Sequence, residues 1–503
     1  TRFDFTAYET LKLATSNNAA LLQLSGKINP YLRHELGVLK PGAYADLLIV
    51  KGNPLANIRL VENPDKNFAL IMKDGKIYKN QLKATPLSEM KIATGYAAKY
   101  ACSYQFLSNI DSVHIDRALR DFYAMGVKLA VDSNAYRVTA TLGNVSRTAY
   151  FVNDGTRFGC ILDHGPDGAP GSHKTLDEIP FTQKAQHKLL SPFLDETLKK
   201  NKDILALVVA DSSKVLAEAY QKGVQQNTRL LGWSMTKSIG NTLMGILADK
   251  KKWNPAARTG FQEWNGKDDK RSQITGSNLL QMSSGLRWNE QYEGVTDATR
   301  MLYLEDDMVA YAKKAPRSTA PNKKWYYSSG SSNLLAGIMH RTIGENEYKK
   351  FIKHKVFESM DVKDVLIETD ATGNCVFSSY AWATARGWTR FGQLYLNKGK
   401  NSKGEQVLSE SWVKYSHQPA DASGNRYGAQ FWLNNEPPNS PENFPFRAFP
   451  SVPTDAYYAN GYGGQRVLII PTKGLVITML SGKLENFDSD GFYDEILKIL
   501  NKK

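Results

Sequence analysis

The spacing of apolar residues along the chain predicts a mixture of helices and strands. Apolar positions recur at helical intervals in some stretches and form short alternating or continuous runs in others. The helical stretches span 7–24, 113–125 and 234–253, with a last one from 492. The strand-like runs span 128–133, 136–142, 148–152, 204–210, 214–221, 466–471 and 475–480. No apolar run approaches the roughly 20 residues that a membrane-spanning helix needs, so we expect no membrane span.

Polar and turn-forming residues divide the chain into two unequal parts. We expect residues 1–82 to form a small β-rich segment, 83–91 to be a linker, and 92–503 to be one large domain. Within the first part, Asp74-Gly75 lies between two apolar runs and predicts a hairpin. A chain of 503 residues with 42% hydrophobic residues has enough material for compact units with cores of their own.

The first part resembles the C-terminal end of metal-dependent amidohydrolases. The residues that carry this resemblance are Gly37, Leu39, Pro41, Gly42, Ala45, Asp46, Leu47, Gly52, Asn53, Pro54, Asp74 and Gly75. Enzymes of that family hold a metal with an HxH pair and further His and Asp ligands. None of the 8 histidines of this sequence has HxH or HExxH spacing. We therefore expect neither a metal centre nor amidohydrolase activity.

The net charge of +14 raises the question of an anionic partner. Clustered Lys and Arg create a phosphate-binding field, but the basic residues here are scattered. The densest group, Lys250 to Lys252, follows a predicted helix, where cations complement the helix dipole. We therefore expect no nucleic-acid partner. The 3 cysteines exclude a disulfide scaffold and leave open whether Cys102 and Cys160 pair.

A Ser-x-x-Lys spacing begins at Ser88, Ser234 and Ser411, and the surrounding sequence selects one of them. Ser88 lies in the predicted linker, and Ser411 opens a surface helix. Ser234 opens a strongly apolar helix, so the helix dipole favours negative charge on its oxygen, and Lys237 follows one turn later on the same face. A buried, neutral lysine can act as a base. The structural alternative is a capping serine with a solvated lysine.

Two later segments add candidate chemistry. Residues 325–338 place Tyr327 in an aromatic loop before an apolar helix, where a phenol beside a lysine can relay a proton. Glycines within 461–464 precede a strand, and the backbone amide of Gln465, together with that of Ser234, can form an oxyanion hole. The alternatives are simple loop packing for Tyr327 and a glycine-lined bulge for the second segment.

Several stretches together resemble serine hydrolases related to class C β-lactamases and penicillin-binding proteins, especially the branch with esterases and 6-aminohexanoate-dimer hydrolases. These stretches read GYAAKYACSYQF, LLGWSMTKSIG, ITGSNLLQMSSGL, WYYSSGSSNLLAGI and GYGGQRVLIIP. The resemblance implies an α/β fold, in which an antiparallel sheet is flanked by helices and a mainly helical lobe is inserted. It assigns Ser234 and Lys237 to the SxxK element and Tyr327 to the YxN element.

Two departures from the family pattern concern substrate binding. Tyr462, Gly463 and Gly464 stand where the family carries KTG or HTG, so Tyr462 replaces a cation that can hold a substrate carboxylate. Ser329 stands at the asparagine of YxN, which hydrogen-bonds a substrate amide. The resemblance implies that these four positions contact the substrate.

The expected function is hydrolysis of a carboxylic ester or linear amide through an acyl-enzyme on Ser234, without a cofactor. A β-lactamase or D,D-peptidase is the first alternative, ranked lower because Tyr462 cannot pair with the carboxylate of such substrates. An inactive binding protein on a hydrolase scaffold is the alternative of another class. The resemblance also implies a periplasmic or secreted location, whereas the substrate and the oligomeric state stay open.

Overall fold

The computed structural model describes residues 5–81, 86–108, 110–154, 156–163, 179–350, 364–436 and 447–502. Its contacts divide the chain into two compact units, residues 1–86 and 87–503. Part of the predicted linker, 83–85, lies outside the described residues. Residues 86–91 form the first turns of helix α4, so the polar sequence of this stretch belongs to a helix surface. None of the described helices is long and apolar enough to cross a membrane.

The first unit combines a helical stretch with a small antiparallel sheet. Helices α1 (Ala7–Lys12) and α2 (Asn18–Gln23) are joined by a π-helical turn, and α3 (Pro64–Asn67) is a single turn. Strands β1 (Leu47–Val50), β2 (Phe68–Lys73) and β3 (Lys76–Asn80) pair in that order. The β2–β3 turn is Asp74-Gly75, both with positive φ (52° and 72°), as a tight hairpin requires. The predicted hairpin is confirmed.

The second unit begins with what we call the leading subdomain, residues 87–163. It contains most of α4 (Pro86–Ser103) and the short helices α5 (Ser112–Ala118) and α6 (Arg120–Ala124), which replace the single helix predicted over 113–125. Strands β4 (Lys128–Asp132), β5 (Arg137–Leu142), β6 (Val145–Asn153) and β7 (Phe158–Leu162) form an antiparallel sheet in chain order. A disulfide between Cys102 and Cys160 joins α4 to β7.

The centre of the second unit is a six-stranded antiparallel sheet with the order β13-β14-β15-β16-β8-β9. Its strands are β8 (Ile204–Asp211), β9 (Val215–Tyr220), β13 (Trp432–Leu433), β14 (Tyr457–Gly461), β15 (Gln465–Ile470) and β16 (Leu475–Ser481). A separate small sheet consists of β10 (Leu230–Leu231), β11 (Leu366–Ile367) and β12 (Ala381–Ala383). The strands predicted at 204–210, 214–221, 466–471 and 475–480 are confirmed.

The remaining helices of the second unit pack on the central sheet or form a separate lobe. They are α7 (Leu190–Lys200), α8 (Thr236–Asp249), α9 (Gly276–Leu280), α10 (Asp297–Tyr303), α11 (Met308–Lys313), α12 (Ser329–Ile343), α13 (Glu345–Lys350), α14 (Ala385–Leu396), α15 (Glu410–His417) and α16 (Ser489–Asn501). Helix α14 packs on β15, β16 and β8, while α7 packs on β8 and β9 and contacts α16. Helices α8 to α13 form the inserted lobe. The predicted fold class is confirmed.

Side chains alternate between the two faces of β15, and each face supplies a different core. Val467 and Ile469 belong to the larger core, which also contains Trp233 and most of the apolar residues of α8. Leu468 and Ile470 belong to the second core under α7 and α16. The parity of a residue on β15 therefore decides whether its side chain can approach the helix that begins near Ser234.

A buried ion pair fastens the leading subdomain to the rest of the second unit. Lys99 Nζ lies 3.0 Å from Glu368 Oε2, and both side chains are almost completely buried. The Glu368 carboxylate also accepts the Cys160 amide (2.7 Å), the Ser103 hydroxyl (3.1 Å) and the Trp382 indole N–H (2.8 Å). Because donors from both sides meet on one carboxylate, the two parts share a core.

Candidate active site

Ser234 lies in a single 3₁₀ turn, Trp233–Met235, directly before α8. The preceding residue, Trp233, has φ of 45°, a left-handed conformation that is costly for a bulky side chain. Its indole is buried, so packing compensates for the strained backbone. Ser234 itself is half-exposed, whereas the residues around it from Leu230 to Leu247 are buried. The turn therefore presents one hydroxyl to solvent from an otherwise closed helix start.

Lys237 lies one turn further, with its amine directed at that hydroxyl. Its Nζ is 2.9 Å from Ser234 Oγ, 3.1 Å from Ser329 Oγ and 2.9 Å from the Ser378 carbonyl oxygen. Only 2% of the residue is exposed. This burial lowers the pKa of Lys237 from 10.5 to about 8, while the charge of Glu290 opposes the shift. About a tenth of the lysine is therefore neutral at pH 7.

Hydrogen-bond roles around Lys237 follow from the partners of Ser329. The Ser329 hydroxyl donates to Glu290 Oε1, so its oxygen accepts from the lysine. The Ser378 carbonyl also only accepts. These two contacts use two N–H bonds of a neutral amine. The remaining direction of Nζ, the lone pair, then faces the Ser234 hydroxyl, which is the orientation that a base requires.

Glu290 is held by four donors. Its carboxylate accepts the Ser329 amide (2.7 Å), the Ser329 hydroxyl, the Trp288 indole N–H (2.7 Å) and the Tyr292 hydroxyl (3.2 Å). Four donors match the acceptor directions of an ionised carboxylate. Sequence reasoning missed this residue because it lies in a polar loop with no motif around it. It also missed the carbonyl of Ser378, which acts through backbone geometry alone.

Tyr327 contacts both the nucleophile and the lysine. Lys237 Nζ lies 4.8 Å from the centre of its ring, and its hydroxyl is hydrogen-bonded to Ser234. Burial and the charge of Glu290 raise the pKa of Tyr327, and the bond to Ser234 opposes that shift. The phenol is thus protonated at neutral pH and can donate to a group that leaves a carbonyl carbon attached to Ser234. Helix α12 begins two residues later, where Ser328 caps the Ser331 amide at 3.1 Å.

The predicted oxyanion segment lies beside the nucleophile turn. Both β14 and β15 pack against Trp233–Met235. Gly461 permits this approach, because a Cβ there would lie 2.2 Å from the Gly232 carbonyl oxygen. The buried Gln465 side chain accepts the Ser481 amide at 3.0 Å, which fixes the start of β15. The contribution of the Gln465 and Ser234 amides to an oxyanion hole stays a prediction.

The triplet predicted to bind substrate forms a turn, Tyr462–Gly464, in which Gly463 has φ of 74°. The Tyr462 side chain is 44% exposed and its ring meets Trp233 edge-on at 5.8 Å. Ser329, in contrast, is completely buried behind Lys237. Tyr462 is therefore accessible to a ligand, whereas Ser329 serves the lysine in this state of the site.

Arg466 does not compensate for the cation that Tyr462 replaces. By parity on β15 its side chain belongs to the face of the second core. Its guanidinium lies over Phe449, 4.8 Å from the ring centre, and donates to Asn460 Oδ1 at 3.1 and 3.2 Å. The central sheet separates this cation from Ser234.

The two rejected Ser-x-x-Lys serines lack such surroundings. Ser411 is exposed on α15, and Ser88 lies in α4 rather than in a linker. Over the described part of the chain, no group of three or more His, Cys, Asp or Glu residues is arranged to hold a metal ion.

Comparison with known proteins agrees with this arrangement. The sequence profile of the beta-lactamase family matches residues 194–499. The 6-aminohexanoate-dimer hydrolase of Paenarthrobacter ureafaciens is 26% identical over 228 residues, which are 42% of this chain and 56% of the relative. The chain thus aligns with just over half the length of that relative. The structure of a putative 6-aminohexanoate-dimer hydrolase from Bacillus anthracis has a TM-score of 0.50 and 21% identity, covering 61% of this chain and 82% of its own.

The profile match covers more than half of the chain and includes every predicted site residue from Ser234 to Gln465. The structural neighbour supports the same fold. The resemblance of residues 1–82 to amidohydrolases remains a prediction. On this evidence, the chain belongs to the beta-lactamase family.

Proposed function

We propose that the protein is a serine hydrolase that cleaves a carboxylic ester or a linear amide through an acyl-enzyme on Ser234. The observation that carries the proposal is the 2.9 Å contact between Ser234 Oγ and the amine of Lys237, a buried lysine with a lowered pKa. A lysine in this state can remove a proton near neutral pH. The Paenarthrobacter relative is named a hydrolase of the 6-aminohexanoate dimer, which is compatible with this chemistry.

In the proposed mechanism, neutral Lys237 accepts the Ser234 proton while Oγ attacks the substrate carbonyl carbon. The carbonyl oxygen becomes an oxyanion, held by the amides of Ser234 and Gln465. Tyr327 donates its proton to the leaving alcohol or amine and recovers one from Lys237. Water then attacks the carbonyl carbon of the acyl-enzyme and gives a proton to the same pair of residues. The bond to Ser234 Oγ breaks, that oxygen takes the proton back from the pair, and the acid is released.

Two alternatives have less support. A β-lactamase or D,D-peptidase binds a substrate carboxylate, but Tyr462 offers only a neutral hydroxyl, and Arg466 faces the other side of the sheet. An inactive binding protein would not need the buried lysine, since burying an amine beside a serine is costly without a use.

A periplasmic or secreted location is part of the proposal. The buried disulfide between Cys102 and Cys160 supports it, because such bonds persist in oxidising compartments. For residues 1–86 we propose an accessory unit without chemistry of its own.

A fluorophosphonate probe tests the central assignment. Wild-type protein should gain one adduct, mapped to Ser234, and hydrolyse p-nitrophenyl esters or linear amides. Ser234→Ala should lose the adduct and the activity, whereas Ser411→Ala should keep both. An adduct on Ser88 or Ser411 with Ser234 unmodified would refute the choice of nucleophile.

A further inference from the structure

A row of aromatic side chains leads from the nucleophile into the leading subdomain, outside the segment that matches the family profile. Tyr96 on α4 stacks on Trp233, with ring centroids 5.9 Å apart and ring planes at 17°. Phe122 in α6 stacks on Tyr96 at 4.6 Å. On the other side, Tyr462 meets Trp233 at 5.8 Å and Tyr292 meets Tyr462 at 5.9 Å. We call these five residues the aromatic row.

The aromatic row is only partly covered. Trp233 is buried, but Tyr96, Phe122 and Tyr292 are half-buried, and Tyr462 is exposed over 44% of its surface. Trp233 is also the residue directly before Ser234, so the row starts next to the reacting hydroxyl. Phe122 and Trp233 both stack on Tyr96, so Tyr462 is the member of the row whose exposed ring can stack on a flat, uncharged group of a bound substrate.

A second aromatic cluster surrounds Tyr327. It indicates on which side of the site the leaving group of a substrate would lie. Trp432 lies 5.4 Å, Tyr427 6.0 Å and Trp325 6.4 Å from the Tyr327 ring. In the proposed mechanism the leaving group takes its proton from Tyr327, so it must lie on the side of this cluster. The aromatic row lies around Trp233 instead. The part of the substrate that it can contact is therefore the acyl group.

Ion pairs hold the leading subdomain against the rim of the site. Lys483 bonds Asp121 of α6, and it lies 3.1 Å from Glu485, which in turn lies 3.5 Å from Arg120. The carbonyl of the preceding residue, Gly482, packs against Gly463 of the substrate triplet, where a Cβ would come within 2.5 Å of it. The position of α6, and of Phe122 on it, is therefore coupled to the triplet.

We propose that the aromatic row is the acyl-group subsite and that it selects substrates whose acyl group ends in an uncharged aromatic ring. Tyr462 then touches the acyl group, and Tyr96, which comes from outside the family match, is a positioning residue that acts through Trp233. This proposal rests on the proposed function, and it adds the substrate class. The hydroxyl of Tyr96 is not required, because the contact uses the ring face.

The test compares two esters with the same leaving group, 4-nitrophenyl 3-phenylpropanoate and 4-nitrophenyl butanoate, on the full-length protein. Wild type should have the higher kcat/KM for the phenylpropanoate. Tyr96→Ala should lower the ratio of the two constants about tenfold, the size expected for losing a stacking contact. Tyr96→Phe should keep the wild-type ratio. Tyr123→Ala is the control, since it removes a half-buried ring from α6 of the same subdomain, and the hydroxyl of that ring donates to Asp116.

The outcomes distinguish the acyl-subsite proposal from the serine hydrolase assignment on which it rests. An unchanged ratio in Tyr96→Ala, or an equal loss with both esters, would overturn the acyl subsite and leave the hydrolase assignment intact. A ratio that falls equally in Tyr123→Ala would overturn it as well, because general damage to the subdomain would then explain the change. If wild type hydrolyses neither ester and Ser234 takes no fluorophosphonate, both proposals fail.

Discussion

Ser329 Oγ lies 3.1 Å from Lys237 Nζ and donates its own proton to Glu290. This short chain explains how a serine can stand at the asparagine of the YxN element. The serine orients the lysine, and the carboxylate orients the serine. The effect of this hydrogen-bonded chain on the pKa of Lys237 can be measured.

Glu290→Gln should move the pH dependence of hydrolysis to lower pH. Lys237 acts as a base only when neutral, so kcat/KM falls as the pH drops below the pKa of this lysine. The wild-type midpoint is expected at a pH of about 8. The Glu290 charge raises that pKa, and its removal lowers the midpoint. The plateau should also fall, because Gln offers one acceptor oxygen where the carboxylate offers two, so the four donors around Glu290 can no longer all be satisfied. Glu293→Gln, an exposed neighbour, should leave the profile unchanged. A midpoint that stays or rises would contradict this role for Glu290.

Lys237 and Tyr327 should behave as one proton-handling unit. Lys237→Ala and Tyr327→Phe should each lower kcat by about 100-fold or more, the range for losing acid-base assistance. The double variant should lose little beyond the worse single variant, because both residues serve the same proton. Steady-state kinetics with one ester and one amide would show this. Near-wild-type turnover by Tyr327→Phe on both substrates would remove the phenol from the mechanism.

Tyr462→Lys should narrow the preference for neutral esters over β-lactams. A cation at this exposed position can pair with a substrate carboxylate, and such a charge-assisted bond contributes roughly 1.5 to 3 kcal/mol, or about 10- to 150-fold in kcat/KM. The measurement is the ratio of kcat/KM for a cephalosporin to that for p-nitrophenyl butyrate. Arg466→Lys on the opposite face of the sheet is the control and should not change the ratio. A higher kcat/KM of the wild-type enzyme for the cephalosporin than for the ester would contradict the esterase assignment.

Lys99→Met should strongly destabilise the fold. It leaves the Glu368 carboxylate buried without its cation, which costs about 3 to 5 kcal/mol in comparable buried pairs. Urea unfolding with the disulfide intact measures the loss. Lys398→Met is the matched control, because its pair with Glu410 is exposed and contributes little. Equal stability of the two variants would mean that Glu368 is solvated or protonated in the folded protein.

The sequence predicted the elements whose signals are local. Apolar periodicity located α8 and the strands β8, β9, β15 and β16, and Asp74-Gly75 located a hairpin. Ser234 was selected over Ser88 and Ser411 because only its helix is apolar throughout. Family resemblance then assigned Lys237 and Tyr327 to one site, and the structure brings their side chains together around Ser234.

Tertiary features could not be predicted in this way. Glu290 reaches Ser329 from a loop 39 residues earlier, and no local pattern marks that contact. The extent of α4 was hidden by a polar first turn that resembles a linker. Sequence also left open the pairing of Cys102 with Cys160, which depends on how α4 packs against β7.

The carboxylate of Glu368 has a consequence for how this chain can be divided. Its donors Lys99, Ser103 and the Cys160 amide precede residue 194, whereas Trp382 follows it. A fragment that contains only residues 194–499 would retain the Glu368 carboxylate. It would lose every one of these donors except Trp382. The boundary drawn by homology is therefore not a boundary of folding. Recombination between relatives that exchanges only the later segment would have to bring a matching α4 with it, so the two stretches are expected to be inherited together.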